Sequence, residues 1–174
     1  MQAPTHLLIG VIIQKLFDWR RYRAISFLLV AAVAFFCHGL LDEFSRFTYN
    51  PDISLPIDPF WVVFQIVVLL FTITLLYQWW GIAKWGIVFS LLPDIEWIFI
   101  DIQKLFNIEI AFYKTPYIHN FLHSVYGALP PFSYMDMLPD WSRNYWACAI
   151  EVAVIVLLLL TLRAIYNQRR NIHF

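Results

Sequence analysis

The run Phe60–Trp80, FWVVFQIVVLLFTITLLYQWW, contains no charged side chain. Twenty such residues, rising 1.5 Å each, span about 30 Å as a helix, the thickness of a bilayer's hydrocarbon core. That leaves few folds open. Inside hydrocarbon every backbone N–H and C=O must be satisfied by the protein itself, and a helix does so within one segment. Ala24–Leu41 is also nearly free of charge, Trp85–Ile100 is interrupted by Pro93 and Asp94, and Tyr145–Tyr166 carries Glu151 and Arg163. Residues 4–18 read as a shorter apolar helix and residues 107–128 as a mixed one, with Pro130, Pro131 and Pro139 marking the loop before the last span. With 61% hydrophobic and only 14% charged residues, the chain lies far from the soluble mix. The expected fold is all-α: residues 1–174 form a single integral membrane domain, a polytopic helical bundle of about five to six helices with one broken or re-entrant.

A formal net charge of zero points to no nucleic acid or other polyanion as partner. Cys37 and Cys148 lie within apolar runs, without metal-type spacing, and read as small buried hydrophobes. The first apolar run lacks a basic segment before it, and Lys15, Asp18, Arg20, Arg21 and Arg23 follow where a cleavage site would stand. It reads as part of the mature protein. Lys15, Arg20, Arg21, Arg23, Lys84, Arg163, Arg169 and Arg170 can all lie on one side of a membrane if the N-terminus lies on the other. The bias of basic residues makes theirs the cytoplasmic side.

Three polar interruptions stand out: CHGLLDEF at 37–44, SLLPDIEWIFI at 90–100 and IHNFLHSVYG at 118–127. His6 lies fifteen residues before Arg21 and His38 seventeen after it, so two antiparallel helices joined there bring both histidines to a similar height. His38 and Asp42 are four apart, as are His119 and His123, and each pair shares a helix face. Pro93 has no N–H to donate and suits a helix start or a break, which can hold Asp94 and Glu96 at the same level. Ionisable groups in a span cost roughly 2.5–3.5 kcal/mol each, and a divalent cation is a shared compensation for imidazole and carboxylate together. Each pattern alone has a plainer reading: a surface pair for His-x-x-x-His, a self-satisfied pair for His-x-x-x-Asp, an ordinary helix start for Pro-Asp. Glu151 reads as hydrogen-bonded to a neighbouring helix, or as a support behind the ligands.

These residues resemble a known group, the membrane-bound, metal-dependent hydrolases of the LexA-binding inner-membrane-associated type. Four short motifs carry the likeness: Thr5-His6 before a small apolar helix, Leu92-Pro93-Asp94-Ile95-Glu96, His119 with His123-Ser124, and His38 with Asp42. The motif order differs, since His-x-x-x-Asp comes second here and last in the family. Glu96 stands for the family's second acid, and the family's paired histidines flank an Arg-Gly and stand one residue further apart. The resemblance implies a metal-dependent hydrolase of phosphoesters or related bonds, in a bacterial inner membrane.

The function expected is hydrolysis of an ester or phosphoester in a lipid or amphiphilic substrate, at a site toward the extracytoplasmic side. The expected cofactor is zinc, with manganese as the alternative, as one ion or as two bridged by a carboxylate. His6, His38, Asp42, Asp94, His119 and His123 are the expected ligands. Asp94 and Glu96 are the expected catalytic acids, with Glu43 the rival of Glu96 as general base. Asn120 and Ser124 orient ligands or pack helices. The competing reading is a non-enzymatic protein, a metal or proton transporter or a structural subunit. A transporter strings its ionisable residues through the midplane, whereas these cluster toward one side. Membrane lipids are the only other partners implied.

Overall fold

The computed structural model describes residues 1–18, 22–50, 58–108, 115–130 and 132–171. Among them lie six α-helices and no strand: α1 (Ala3–Phe17), α2 (Arg23–Glu43), α3 (Pro59–Leu91), α4 (Asp94–Phe106), α5 (Tyr117–Gly127) and α6 (Cys148–Asn171). Helices α2, α3 and α6 are long and apolar enough to cross a membrane. Their outer faces are hydrocarbon, with Val63, Ile66, Leu70, Leu157 and Leu160 all exposed. This is a membrane protein's arrangement, apolar outside and partly polar within.

The short helix α1 is the centre. Pro4 fits its first turn, where the missing N–H has no helical partner to lose. Leu7, Leu8, Val11 and Ile12 are buried in one cluster with Leu75, Ala83, Ile87 and Leu162. Thr5 and His6 are buried beside them.

Helix α3 is two limbs. Its start reaches the N-terminal end of α1, because Tyr49 packs on Phe60 and Phe64 while its carbonyl accepts from Gln2 Nε2 at 3.1 Å. Ile82 lies further along α1, its carbonyl 3.5 Å from Gln14 Nε2. Beyond Ala83, whose φ of −138° and ψ of 31° are not helical, the chain climbs back, and the Ser90 carbonyl lies at His38. The returning limb touches α1 through backbone. A Cβ on either Gly10 or Gly86 would run into the other residue's carbonyl, and Gly86 N donates to Gln14 Oε1 at 2.7 Å. Gly10→Ala is therefore expected to cost about 1–3 kcal/mol by overpacking, read as a lower melting temperature in detergent. Gly81→Ala, where a Cβ meets nothing within 4 Å, is the control and leaves the melt unchanged or slightly raised.

The apolar stretch Trp85–Ile100, expected as a broken fourth helix, is indeed interrupted. It divides at Pro93 into the returning limb of α3 and the amphipathic α4, because Pro93 cannot continue the helical ladder. The mixed helix expected over 107–128 is also shorter. Asn107 adopts the left-handed conformation at φ 52° and ends α4, and α5 starts only after Pro116. Residues 109–114 lie outside the described residues, as do Arg20, Arg21, Pro131 and the tail residue His173.

Opposite the Lys15–Lys84 end, Asp58 ties three segments together. Its carboxylate accepts from Phe60 N at 2.9 Å, from Tyr49 Oη at 3.1 Å and from Tyr145 Oη at 3.2 Å. Helix α5 is pressed onto α2 at Gly39, where a Cβ would lie 2.9 Å from both Leu122 and Tyr126. That close approach brings His119 within reach of α2.

Candidate metal centre

Four elements meet at Asp42. His38 lies one turn before it on α2, and its Nε2 is 2.9 Å from Asp42 Oδ2. From α5, His119 Nε2 reaches the same oxygen at 3.4 Å and stands 3.3 Å from His38 Nε2. From the start of α4, Asp94 Oδ1 lies 3.6 Å from His38 Nε2 and 3.9 Å from His119 Nε2. From α1, His6 Nε2 is 3.2 Å from the other oxygen, Asp42 Oδ1, which also lies 3.1 Å from the Met1 backbone nitrogen. The break at Pro93 is what lets Asp94 join, since it turns a membrane limb into a fresh helix start at this height.

The chemistry of the inward atoms is one-sided. His38 Nδ1 lies 2.7 Å from the Ser90 carbonyl oxygen, which only accepts. The ring proton therefore sits on Nδ1 and the Nε2 lone pair faces in. His119 Nδ1 lies 3.4 Å from Glu96 Oε2, again an acceptor, with the same consequence. Two lone pairs then face one another beside two carboxylate oxygens. Such a set needs a cation, either extra protons or a metal. His6 and His38 stack with ring centroids 4.0 Å apart, so charging both rings would set like charges face to face.

Distances decide whether a metal fits. A tetrahedral zinc with ligands at 2.0–2.1 Å has ligand–ligand edges of about 3.3 Å. His38 Nε2, His119 Nε2, Asp42 Oδ2 and Asp94 Oδ1 show separations of 2.9, 3.3, 3.4, 3.6 and 3.9 Å. Around the two imidazoles these separations bracket that edge. His6 with His38 and Asp42 forms a second, overlapping triad, with Asp42 presenting one oxygen to each. Nitrogen and oxygen donors without sulfur suit zinc and also manganese.

Not every expected ligand is here. His123 points elsewhere, with a side chain 69% exposed and Nδ1 2.8 Å from Glu43 Oε1. Its place one turn beyond His119 sets it against Glu43 of α2, beside the ligand group. Glu96, expected as a catalytic acid, is turned inward instead. It is 6% exposed and accepts from Ile118 N at 2.9 and 2.8 Å and from His119 N at 3.3 Å. It caps the positive end of α5 and holds the His119 ring from behind. Asn120 and Ser124 are exposed on α5, on the solvent or lipid side. Glu151 is 2% exposed and accepts from Thr5 Oγ1 and from Gln2 N, bracing the turn that carries His6.

Two contributors had no signal in the sequence. Ser90 acts through its carbonyl, which any residue would supply. Arg46 follows Asp42 by one turn and lines, with Asp42, Glu43, His119 and His123, a cleft of about 300 Å³ beside the ligand group. Asp42 lines this cleft with His119 and has a side chain 28% exposed, so the group is open on this side. No family model matches this chain, and no curated protein or solved structure matches it either.

Proposed function

We propose that this protein is a membrane-embedded metal-dependent hydrolase that cleaves an ester or phosphoester of a lipid or similar amphiphile. The observation that carries the reading is the acceptor-only group of His38, His119, Asp42 and Asp94, spaced for one divalent cation and open to a cleft. A divalent cation bound there supplies Lewis acidity to the scissile ester's oxygen. The chain's own residues do the rest. Asp42 and His119, which line the cleft, mark the side from which substrate approaches. Arg46 brings a fixed positive charge to the cleft, suited to a phosphate-bearing head group. The neighbouring apolar helix faces suit its acyl chains. The basic residues Lys15, Arg23 and Lys84, at the other end of the bundle, favour an extracytoplasmic site in a bacterial inner membrane.

The test is metal analysis joined to turnover. Full-length protein purified in detergent is expected to carry zinc or manganese and to hydrolyse bis(p-nitrophenyl) phosphate or a p-nitrophenyl acyl ester. Activity falls on chelation and returns with added zinc. A protein that holds no divalent metal, or holds it and cleaves neither probe, refutes the reading. Zinc flux through reconstituted vesicles would move the assignment to a transporter.

A further inference from the structure

His123 and Glu43 remain outside the ligand group. They form a pair of their own. Glu43 is next to Asp42 on α2, and His123 is one turn beyond His119 on α5, so the two helices that present ligands also present this pair. The contact is short, 2.8 Å from His123 Nδ1 to Glu43 Oε1. A carboxylate only accepts, so the ring proton lies on Nδ1 and Nε2 keeps its lone pair. Glu43 is 10% exposed while His123 is 69% exposed, which leaves the imidazole in the open cleft and its carboxylate support largely buried. Both line the same cleft as Asp42, His119 and Arg46.

A carboxylate-braced imidazole with a free, accessible nitrogen is the arrangement that moves protons in hydrolytic sites. We propose that His123 is the proton-transfer residue of the hydrolysis, positioned by Glu43, and is not a metal ligand. This assignment rests on the hydrolase reading above. In the step, the oxygen of a water molecule bonds to phosphorus, or to the acyl carbon, and His123 Nε2 takes one proton from that water. The ester bond breaks with its electron pair going to the leaving oxygen, and His123 returns the proton there. An alcohol and an acid are released, and the imidazole ends as it began. Glu43 keeps accepting from Nδ1 throughout and holds the ring in place.

The experiment uses zinc-loaded full-length protein and bis(p-nitrophenyl) phosphate. His123→Ala is expected to keep wild-type zinc content and to lose about 100-fold or more in kcat, the usual worth of a general base. Added imidazole restores part of that loss, which a purely structural role would not allow. Glu43→Gln lowers kcat with KM unchanged, and Glu43→Asp recovers part of it. The exposed His123 side chain carries little packing, and a melting curve checks that the variant folds. Turnover of His123→Ala within about threefold of wild type overturns the assignment while the hydrolase reading stands. Loss of zinc with turnover makes His123 a ligand and overturns it too. A zinc-loaded wild type that cleaves nothing overturns both.

Discussion

Purified Asp42→Ala protein is expected to bind zinc at least about 100-fold more weakly than wild type, since even a supporting partner behind a ligand is worth 10–100-fold. Asp42 touches three imidazoles from three helices. Its Oδ2 meets His38 and His119, and its Oδ1 meets His6. Without it, those imidazoles keep only Asp94, whose Oδ1 lies 3.6 Å from His38 Nε2 and 3.9 Å from His119 Nε2. The measurement is zinc titration against a competing chelator, with inductively coupled plasma analysis of the dialysed protein. Asp42→Asn separates charge from shape. It keeps the volume and one oxygen, and it too is expected to lose the metal, because an amide neither neutralises the cation nor bridges two imidazole groups. Zinc affinity unchanged in both variants would mean that the cluster is a hydrogen-bonded pair of helices and nothing more.

Glu96→Ala is expected to act twice. It removes the acceptor behind His119 Nδ1, freeing the ring to rotate and lowering metal affinity by about 10–100-fold. It also leaves the Ile118 and His119 amides without their acceptor at the part-buried start of α5. An unsatisfied buried donor costs about 1–3 kcal/mol, so α5 is expected to loosen from α2. Two readouts follow: weaker zinc binding, and faster hydrogen exchange across Tyr117–Gly127 with a lower melting temperature. Glu96→Gln keeps one oxygen for the amides and is expected to recover most of the melt and little of the affinity. If Glu96 were instead the general base, both variants would hold zinc normally and lose only turnover. The two roles thus separate cleanly on a binding assay.

Much of this architecture is readable residue by residue. The uncharged run Phe60–Trp80 and the nearly uncharged Ala24–Leu41 allow little besides helices that hydrocarbon can surround. Pro93 inside an apolar stretch signals a break, and the break is where α4 begins. The i, i+4 spacing of His38 and Asp42 puts them on one face of α2, and they are found 2.9 Å apart. The similar steps from Arg21 back to His6 and on to His38 suggest one height, and their rings stack. The same spacing argument misleads for His119 and His123. Four residues are one turn plus 40°, a rotation that carries His123 away from the ligand group and toward Glu43. Glu96 misleads for a related reason. Its place two residues after Asp94 says that it points elsewhere on α4, while nothing local says that the start of α5 waits there.

Periodicity and charge, which depend only on neighbours along the chain, determine that this protein is a helical membrane bundle with its costly polar groups drawn to one end. Which of those groups face one another and which stand behind them was decided by tertiary structure alone. That choice turns on helix rotation and on backbone acceptors such as the Ser90 carbonyl, brought in by a reversal at Ala83 and glycine contacts at positions 10, 39 and 86. A carbonyl carries no side-chain signature, and a rotation of tens of degrees leaves the hydrophobic pattern unchanged. The physics that selects the fold is therefore nearly blind to the detail that selects the chemistry.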